Sequence, residues 1–208
     1  MDSEPVRPSA VVFDIGNVLI EWDPVKVYGP LIPDPEERAA FFTRTGLHEM
    51  NREIDLGAPF AETVARTAAA HPADAALIQV WERRWIDMAS PSIPGSVALL
   101  EDLRALGVPV FALSNFGVET FERARRAYPF LDLFDARFIS GHLRVMKPDP
   151  GIYEILEAET GHRGTALFFA DDSAANVAAA RARGWQAHLF EGAVGLVEAL
   201  RVRGLVVD

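Results

Sequence analysis

The chain has 208 residues, 50% of them hydrophobic, and carries a formal net charge of −10. This length supports one well-packed core with room for a small second lobe. An acidic chain without a basic cluster argues against the Lys- and Arg-driven docking that nucleic acids and anionic membranes require. The absence of cysteine excludes disulfides, thiolate catalysis and cysteine-ligated zinc.

The amino-terminal stretch, MDSEPVRPSA, lacks the basic start and the long apolar run of a signal peptide. No apolar stretch reaches the roughly 18 uncharged residues that a transmembrane helix needs. We therefore expect a cytoplasmic protein without a membrane partner. No feature of the sequence fixes the oligomeric state.

The first predicted element is a β-strand over residues 10–14, within the run VVFDIGNVLI. This apolar, β-branched stretch ends in one carboxylate, Asp14, and the turn-forming pair Gly16 and Asn17 follows. Open α/β sheets present a reactive group to a crevice in this way, at the carboxyl end of a buried strand. Taken alone, Asp14 could equally be a residue that caps a turn.

The region from about Pro24 to Ser90 has a helical pattern and contains no predicted strand. One helical face collects the larger apolar side chains of its second half, namely Leu77, Trp81, Trp85 and Met88. Prolines punctuate the region and suggest helix starts, at Pro33, Pro35, Pro59 and Pro72. The segment SPSIPG, residues 90–95, then ends the helical pattern.

After Gly95, predicted helices and strands alternate regularly. Helices are predicted at about 96–106, 118–128, from Pro150, at 173–183 and after Gly192, and strands in VPVFAL, ARFIS, ALFFA and WQAHLF. Such alternation predicts a doubly wound, Rossmann-like parallel sheet in the α/β class, covered on both faces. Residues 1–22 and 92–208 would form this core, and residues 23–91 an inserted all-helical cap.

Polar residues follow three of the predicted core strands. They are Asp14, the pair Ser114 and Asn115, and the pair Asp171 and Asp172. Because the carboxyl ends of parallel strands share one edge of the sheet, these groups can converge. A turn explains Ser-Asn equally well. A helix cap explains one of the two adjacent carboxylates but not both, whereas a bound cation would explain the pair.

Lys147 lies in the loop sequence VMKPDPGIYEIL, which Pro148 and Pro150 stiffen. Most single lysines are solvated, but a rigid cation beside three carboxylates would bind an anion. An Asp nucleophile, a lysine, a hydroxyl and amide pair for substrate (Ser114 and Asn115) and a carboxylate pair together suit phosphoryl transfer assisted by Mg²⁺.

The segments DIGNVLI, LSN, MKPDPGIYEIL and FFADDSAANVAAARARG, in this order, resemble the four motifs of the haloacid dehalogenase superfamily. The resemblance implies that Asp14 is the nucleophile, that Ser114 binds phosphate, that Lys147 is the motif lysine, and that Asp171 and Asp172 form the acidic motif that holds Mg²⁺. Within the superfamily the sequence is most similar to bacterial phosphatases of sugar phosphates such as α-D-glucose 1-phosphate. The implied substrate is a small phosphate ester.

One residue departs from the family pattern. The first motif is usually Asp-x-Asp, and its second Asp protonates the leaving group, but here that position is Gly16. The carbonyl of Gly16 can still supply the family's metal contact. A general acid must come from elsewhere, and Asp23 is one candidate, although a turn role before Pro24 explains it equally well.

Two alternative functions remain open at this stage. A 2-haloacid dehalogenase also lacks the second Asp, but it needs no metal and lacks the carboxylate pair at Asp171 and Asp172. A catalytically weak binding or regulatory protein would explain Gly16 alone. In the cap, the polar stretch with His48, Arg52 and Glu53 is a candidate for substrate contact, and Trp81 and Trp85 could line a pocket or form cap core; the residue types alone assign none of these to the site.

Overall fold

The computed structural model describes residues 6–205. Residues 1–5 of the amino-terminal stretch and residues 206–208, both assigned above to the core, lie outside the described part. The strands are β1 (Ala10–Phe13), β2 (Ile20–Trp22), β3 (Ala89–Ser92), β4 (Val110–Ser114), β5 (Ala136–Ile139), β6 (Leu167–Asp171) and β7 (Gln186–Leu189).

The helices of the first half are α1 (Val25–Tyr28), α2 (Pro35–Thr45), α3 (Leu47–Asp55), α4 (Phe60–Ala70), α5 (Ala75–Ile78), α6 (Val80–Arg83) and α7 (Trp85–Met88). Those of the second half are α8 (Pro94–Ala105), α9 (Val118–Ala127), α10 (Ser140–Leu143), α11 (Pro150–Thr160), α12 (Ala174–Ala182) and α13 (Ala193–Arg201). Short 3₁₀ helices span Pro129–Leu133 and Gly164–Ala166.

The main sheet is parallel and has the strand order β5-β4-β1-β6-β7. Because β1 occupies the middle, all four of its residues are buried. Val11 and Phe13 contribute to one hydrophobic cluster, and Ala10 and Val12 to a second. Because successive side chains of a strand point to opposite faces of the sheet, the two clusters lie on opposite faces. Helices therefore cover both faces of the sheet. The predicted doubly wound α/β fold is confirmed.

Strand register brings the reactive ends together. Phe13 of β1 pairs with Ala112 of β4 and with Ala170 of β6. Asp14, which directly follows β1, therefore lies level with Asp171, and Ser114 lies one residue beyond that level on the other side. Three side chains thus reach the same edge of the sheet.

The prediction of no strand from about Pro24 to Ser90 was wrong at the end of that region, and β2, which lies just before it, was not predicted. β2 and β3 form a separate antiparallel pair, and β3 begins at Ala89. The sequence of β3, Ala-Ser-Pro-Ser, has low intrinsic β propensity, so its extended form depends on pairing with β2 rather than on local preference. The pair brackets the helical segment α1 to α7, and the division into core and cap stays a prediction.

The apolar stripe from Leu77 to Met88 is divided among three short helices, α5, α6 and α7, instead of one. Trp81 and Met88 are buried, and the ring of Trp81 contacts that of Trp22 at a centroid distance of 6.0 Å. Trp81 is therefore a core residue of the helical segment. Among the described residues, no helix has both the length and the apolar character needed to cross a membrane.

Candidate active site

Asp14 lies at the centre of a hydrogen-bond network and is only 7% exposed. Its Oδ1 accepts hydrogen bonds from the backbone N–H of Ile15 at 2.7 Å and from the hydroxyl of Ser114 at 2.6 Å. Its Oδ2 lies 2.9 Å from the ammonium of Lys147. These contacts fix the carboxylate at the carboxyl end of β1, where it faces the cavity described below.

Lys147 is also buried and bridges two carboxylates. Its Nζ lies 2.6 Å from Oδ2 of Asp171 in addition to its contact with Asp14. Asn115 holds the lysine loop from both sides, because its Nδ2 donates to the carbonyl of Lys147 at 2.9 Å and its Oδ1 accepts from the N–H of Lys147 at 2.8 Å. Asn115, predicted to bind substrate, thus positions the lysine with its own amide.

The charges of Lys147 and Asp171 act on the pKa of Asp14, and those of Asp14 and Asp171 act on the pKa of Lys147. Burial raises the pKa of Asp14 above its ordinary value, the ammonium of Lys147 opposes this rise, and the carboxylate of Asp171 adds to it. Burial by itself would lower the pKa of Lys147, but attraction to Asp14 and Asp171 outweighs it, so the pKa is raised. Lys147 therefore stays cationic, and any further cation near Asp14 would favour the ionised, nucleophilic carboxylate.

Two asparagines that the sequence analysis did not assign to the site hold the acidic pair. Asn176 donates from Nδ2 to both oxygens of Asp171, at 3.0 and 3.1 Å. Asn17, which has a left-handed φ of 54°, donates from Nδ2 to Oδ2 of Asp172 at 3.0 Å. The turn after β1 and the start of α12 thus orient the two carboxylates, and a turn-forming Asn was the visible signal only for Asn17.

The carboxylates of Asp14, Asp171 and Asp172 form a group with the character of a cation site. One oxygen from each lies within 4.8 Å of the others. Oxygen-only donor sets suit Mg²⁺ and Ca²⁺, and three acidic groups facing one lysine leave negative charge for a cation to offset. The residues present therefore fit the metal that the sequence analysis expects.

A cavity of about 380 Å³ opens above this group. Six of the seven residues predicted for the site line it, namely Asp14, Gly16, Ser114, Asn115, Lys147 and Asp172. Asp171 lies beneath, fully buried. Ile20, Trp22, Trp85, Ala89 and Phe116 form an apolar wall on another side, in which the ring of Trp85 lies 5.6 Å from those of both Trp22 and Phe116.

The three polar residues of α3 that were candidates for substrate contact lie away from the cavity. His48, Arg52 and Glu53 do not line the cavity. Arg52 pairs with Glu49, Glu53 pairs with Arg66, and His48 lies against the ring of Phe42. The residues of α3 that do line the cavity are Asn51 and Asp55, one helical turn apart.

Asp23, the candidate general acid, lies outside the cavity lining. Its Oδ1 accepts a hydrogen bond from the backbone N–H of Val25 at 2.8 Å, at the first residue of α1. Asp23 therefore has the turn role that was its alternative explanation, and the cavity lining does not support it as the general acid.

A contact between glycines joins the end of α3 to the core. A Cβ on Gly117 would come within 2.6 Å of the Ile54 side chain, and a Cβ on Gly57 within 2.4 Å of the carbonyl oxygen of Gly141. A Cβ on Gly141 would in turn meet the carbonyl oxygen of Phe116 at 2.8 Å. We call these three glycines the glycine seam. Their lack of side chains lets α3 approach the loop after β4 directly.

Comparison with known proteins agrees with this geometry. Residues 8–184 match the sequence profile described as haloacid dehalogenase-like hydrolase. The chain belongs to this family. The family assignment made from the four motifs is thereby confirmed, and the chain is a hydrolase.

Individual relatives are more distant. The chain is 27% identical to the sesquiterpene phosphatase astK of Aspergillus oryzae over 187 aligned residues. The alignment covers 84% of this chain and 86% of the relative. A family enzyme of Bacteroides thetaiotaomicron, in complex with magnesium and inorganic phosphate, has a TM-score of 0.69 at 19% identity, covering 89% of this chain and 95% of the other. An L-2-haloacid dehalogenase has a TM-score of 0.67 at 19% identity, covering 94% and 100%.

The role of Asn115 in this hydrolase is testable by Asn115→Ala. The variant leaves the N–H and the carbonyl of Lys147 without their partner, so we expect the free energy of unfolding to fall by about 1–3 kcal/mol. Urea unfolding measures this loss, and Gln79→Ala, which removes an exposed amide, is the control. Equal stability of the two variants would contradict the role.

Proposed function

We propose that this hydrolase is a Mg²⁺-dependent phosphatase that acts on a small phosphorylated metabolite through an aspartyl-phosphate intermediate. The observation that supports this most strongly is the convergence of Asp14, Ser114, Lys147 and the pair Asp171 and Asp172 at one edge of the sheet. A nucleophile, a hydroxyl, a cation and a metal-type carboxylate group are the parts that phosphoryl transfer needs.

Each residue has a separate part in this proposal. A carboxylate oxygen of Asp14 attacks phosphorus, the leaving group departs, and water hydrolyses the resulting acyl phosphate. The Ser114 hydroxyl and the Lys147 ammonium, which both contact Asp14, bind phosphoryl oxygens beside the nucleophile. Asp14, Asp171 and the carbonyl of Gly16 would hold Mg²⁺, with Asp172 close by. When bound, Mg²⁺ neutralises charge on the phosphoryl group.

The substrate body would occupy the space between the apolar wall and the polar side formed by Asn51 and Asp55. A sugar phosphate, such as α-D-glucose 1-phosphate, fits the motif resemblance, and residues 23–91 would act as the cap that selects it. The wall of Trp22, Trp85 and Phe116 favours a second candidate, a phosphate ester with an apolar body, which agrees with the name of the Aspergillus oryzae relative.

The carboxylate pair argues against dehalogenation. A 2-haloacid is an anion, and Asp171 with Asp172 would repel it unless a cation were bound. The dehalogenase neighbours share the fold at 19–21% identity, which leaves the reaction to be decided by the site residues.

A substrate panel supplemented with Mg²⁺ tests the proposal. The panel contains glucose 1-phosphate, glucose 6-phosphate, a C15 isoprenoid monophosphate, p-nitrophenyl phosphate and 2-chloropropionate. We expect release of inorganic phosphate from at least one ester and no release of chloride. Chloride release without phosphate release would support the dehalogenase, and no turnover of any compound would support the catalytically weak binding protein.

A further inference from the structure

The proposed reaction requires a proton for the leaving oxygen, and the usual position for its donor is Gly16. Among residues 6–205, five with titratable side chains line the cavity: Asp14, Glu21, Asp55, Lys147 and Asp172. Asp14 is the nucleophile, Lys147 bridges two carboxylates, and Asp172 belongs to the acidic group. Glu21 is exposed and paired with Lys26. This leaves Asp55 as the remaining candidate donor.

Asp55 is held firmly at the cavity. It is the last residue of α3, and its Oδ2 accepts a hydrogen bond from Nδ2 of Asn51 at 2.8 Å. The backbone N–H of Gly117 also interacts with the carboxyl group and favours its ionised form. The backbone carbonyl of Asp55 accepts from the hydroxyl of Ser140 at 2.6 Å. Contacts from the helix and from two core segments thus fix both the main chain and the side chain.

The protonation state of Asp55 agrees with a donor. Burial raises its pKa from 3.8 to about 8, against the opposing effects of the Gly117 N–H and the Asn51 hydrogen bond, and the negative charge of Asp14 adds to the rise. Below that pH the carboxyl group carries its proton, so it can donate at neutral pH. Asp14 and Asp55 both line the cavity.

We propose that Asp55 is the general acid of this site, taking the role that Gly16 cannot fill; the inference rests on the phosphatase function proposed above. Asp14 lines the cavity from the sheet and Asp55 from the helical side. In an in-line displacement the leaving oxygen lies on the side of phosphorus away from the nucleophile. The substrate's leaving oxygen would therefore point away from β1 and towards α3.

Asp55 donates a proton in the first step of the reaction and takes one back in the second. In the first, the bond from Asp14 to phosphorus forms and the bond from phosphorus to the leaving oxygen breaks; that oxygen keeps the electron pair and takes the proton of Asp55. In the second, water attacks phosphorus and gives its proton to the Asp55 carboxylate, while the bond to Asp14 breaks and restores the Asp14 carboxylate. The products are the alcohol and inorganic phosphate, and Asp55 is again protonated.

The test compares kcat/KM for phosphate esters of graded leaving-group acidity, from p-nitrophenyl phosphate to simple alkyl phosphates. The variants are Asp55→Asn and, as control, Glu49→Gln, an exposed carboxylate on the same helix. We expect Asp55→Asn to lower kcat/KM for alkyl phosphates by about 10²–10⁴-fold and to change p-nitrophenyl phosphate turnover only a few-fold, since that leaving group needs no proton. The control should match the wild type throughout.

The ratio between two esters is taken within one protein sample, so partial loss of folded protein in a variant cancels. A uniform fall across the series, or no fall, would overturn the role of Asp55 while leaving the phosphatase function in place. Asp55→Ala provides a second variant and should give the same selective loss. A wild-type protein that hydrolyses none of the esters would overturn both proposals. This outcome is distinguishable from a uniform fall or no fall in the variant, in which the wild type is active.

Discussion

Asp14→Asn is expected to lower phosphatase turnover by a factor on the order of 10⁴ or more, as removal of a covalent nucleophile does. Asparagine has nearly the same shape but lacks the anionic oxygen that attacks phosphorus. The fold should survive, because the amide oxygen can still accept the hydrogen bonds of Ile15 and Ser114. Lys147 keeps its partner Asp171, so the substitution leaves no buried charge unpaired.

The measurements are steady-state kinetics on the best ester of the panel and thermal unfolding of the same samples. Asp102→Asn, an exposed carboxylate on α8, is the matched control and should retain wild-type turnover. A folded Asp14→Asn protein with substantial activity would show that another group forms the bond to phosphorus.

Removal of divalent cations should reduce turnover nearly as strongly as the Asp14→Asn substitution. Without a cation, the carboxylates of Asp14, Asp171 and Asp172 face the phosphate dianion, and Lys147 is the one cationic side chain among the described residues that line the cavity. Metal ions typically contribute several kcal/mol of charge stabilisation in such reactions, so we expect a loss of roughly 10³-fold with chelator and recovery on adding Mg²⁺.

A binding measurement separates metal affinity from turnover. Mg²⁺ should raise the unfolding temperature of the wild type, because a ligand of the native state stabilises it. Asp172→Asn should weaken that rise, and Glu49→Gln should not. Full activity in the presence of chelator, together with turnover of 2-chloropropionate, would replace the phosphatase proposal with the dehalogenase alternative.

The sheet could be predicted because its signals are local. The three inner strands, β1, β4 and β6, are apolar runs between helical patterns. The convergence of Asp14, Ser114 and Asp171 follows directly from the rule that parallel strands share a carboxyl edge. The β2 and β3 pair could not be predicted in this way, because the Ala-Ser-Pro-Ser sequence of β3 becomes extended through a partner distant in the chain.

Asp55 was missed for a different reason. The polar residues His48, Arg52 and Glu53 were the visible candidates in α3, but their partners are residues of the helical segment: Arg52 pairs with Glu49, Glu53 pairs with Arg66, and His48 contacts the ring of Phe42. Asn51 and Asp55 lie instead beside the apolar stripe of Leu47, Met50 and Ile54. Both polar residues are half-buried, and a polar residue beside the apolar stripe of a helix was the available signal, since a polar group withdrawn from water needs a reason for its position.

The glycine seam has a consequence for how this enzyme can diversify. A Cβ on Gly57 or Gly141 would meet main-chain atoms, and one on Gly117 would meet the side chain of Ile54, so the position of α3 depends on the absence of side chains at these three positions. The aromatic residues Trp22 and Trp85 lie elsewhere on the cavity wall. The cavity wall can therefore vary without disturbing the seam, whereas a Cβ on Gly57 or Gly141 would displace α3, which carries Asp55.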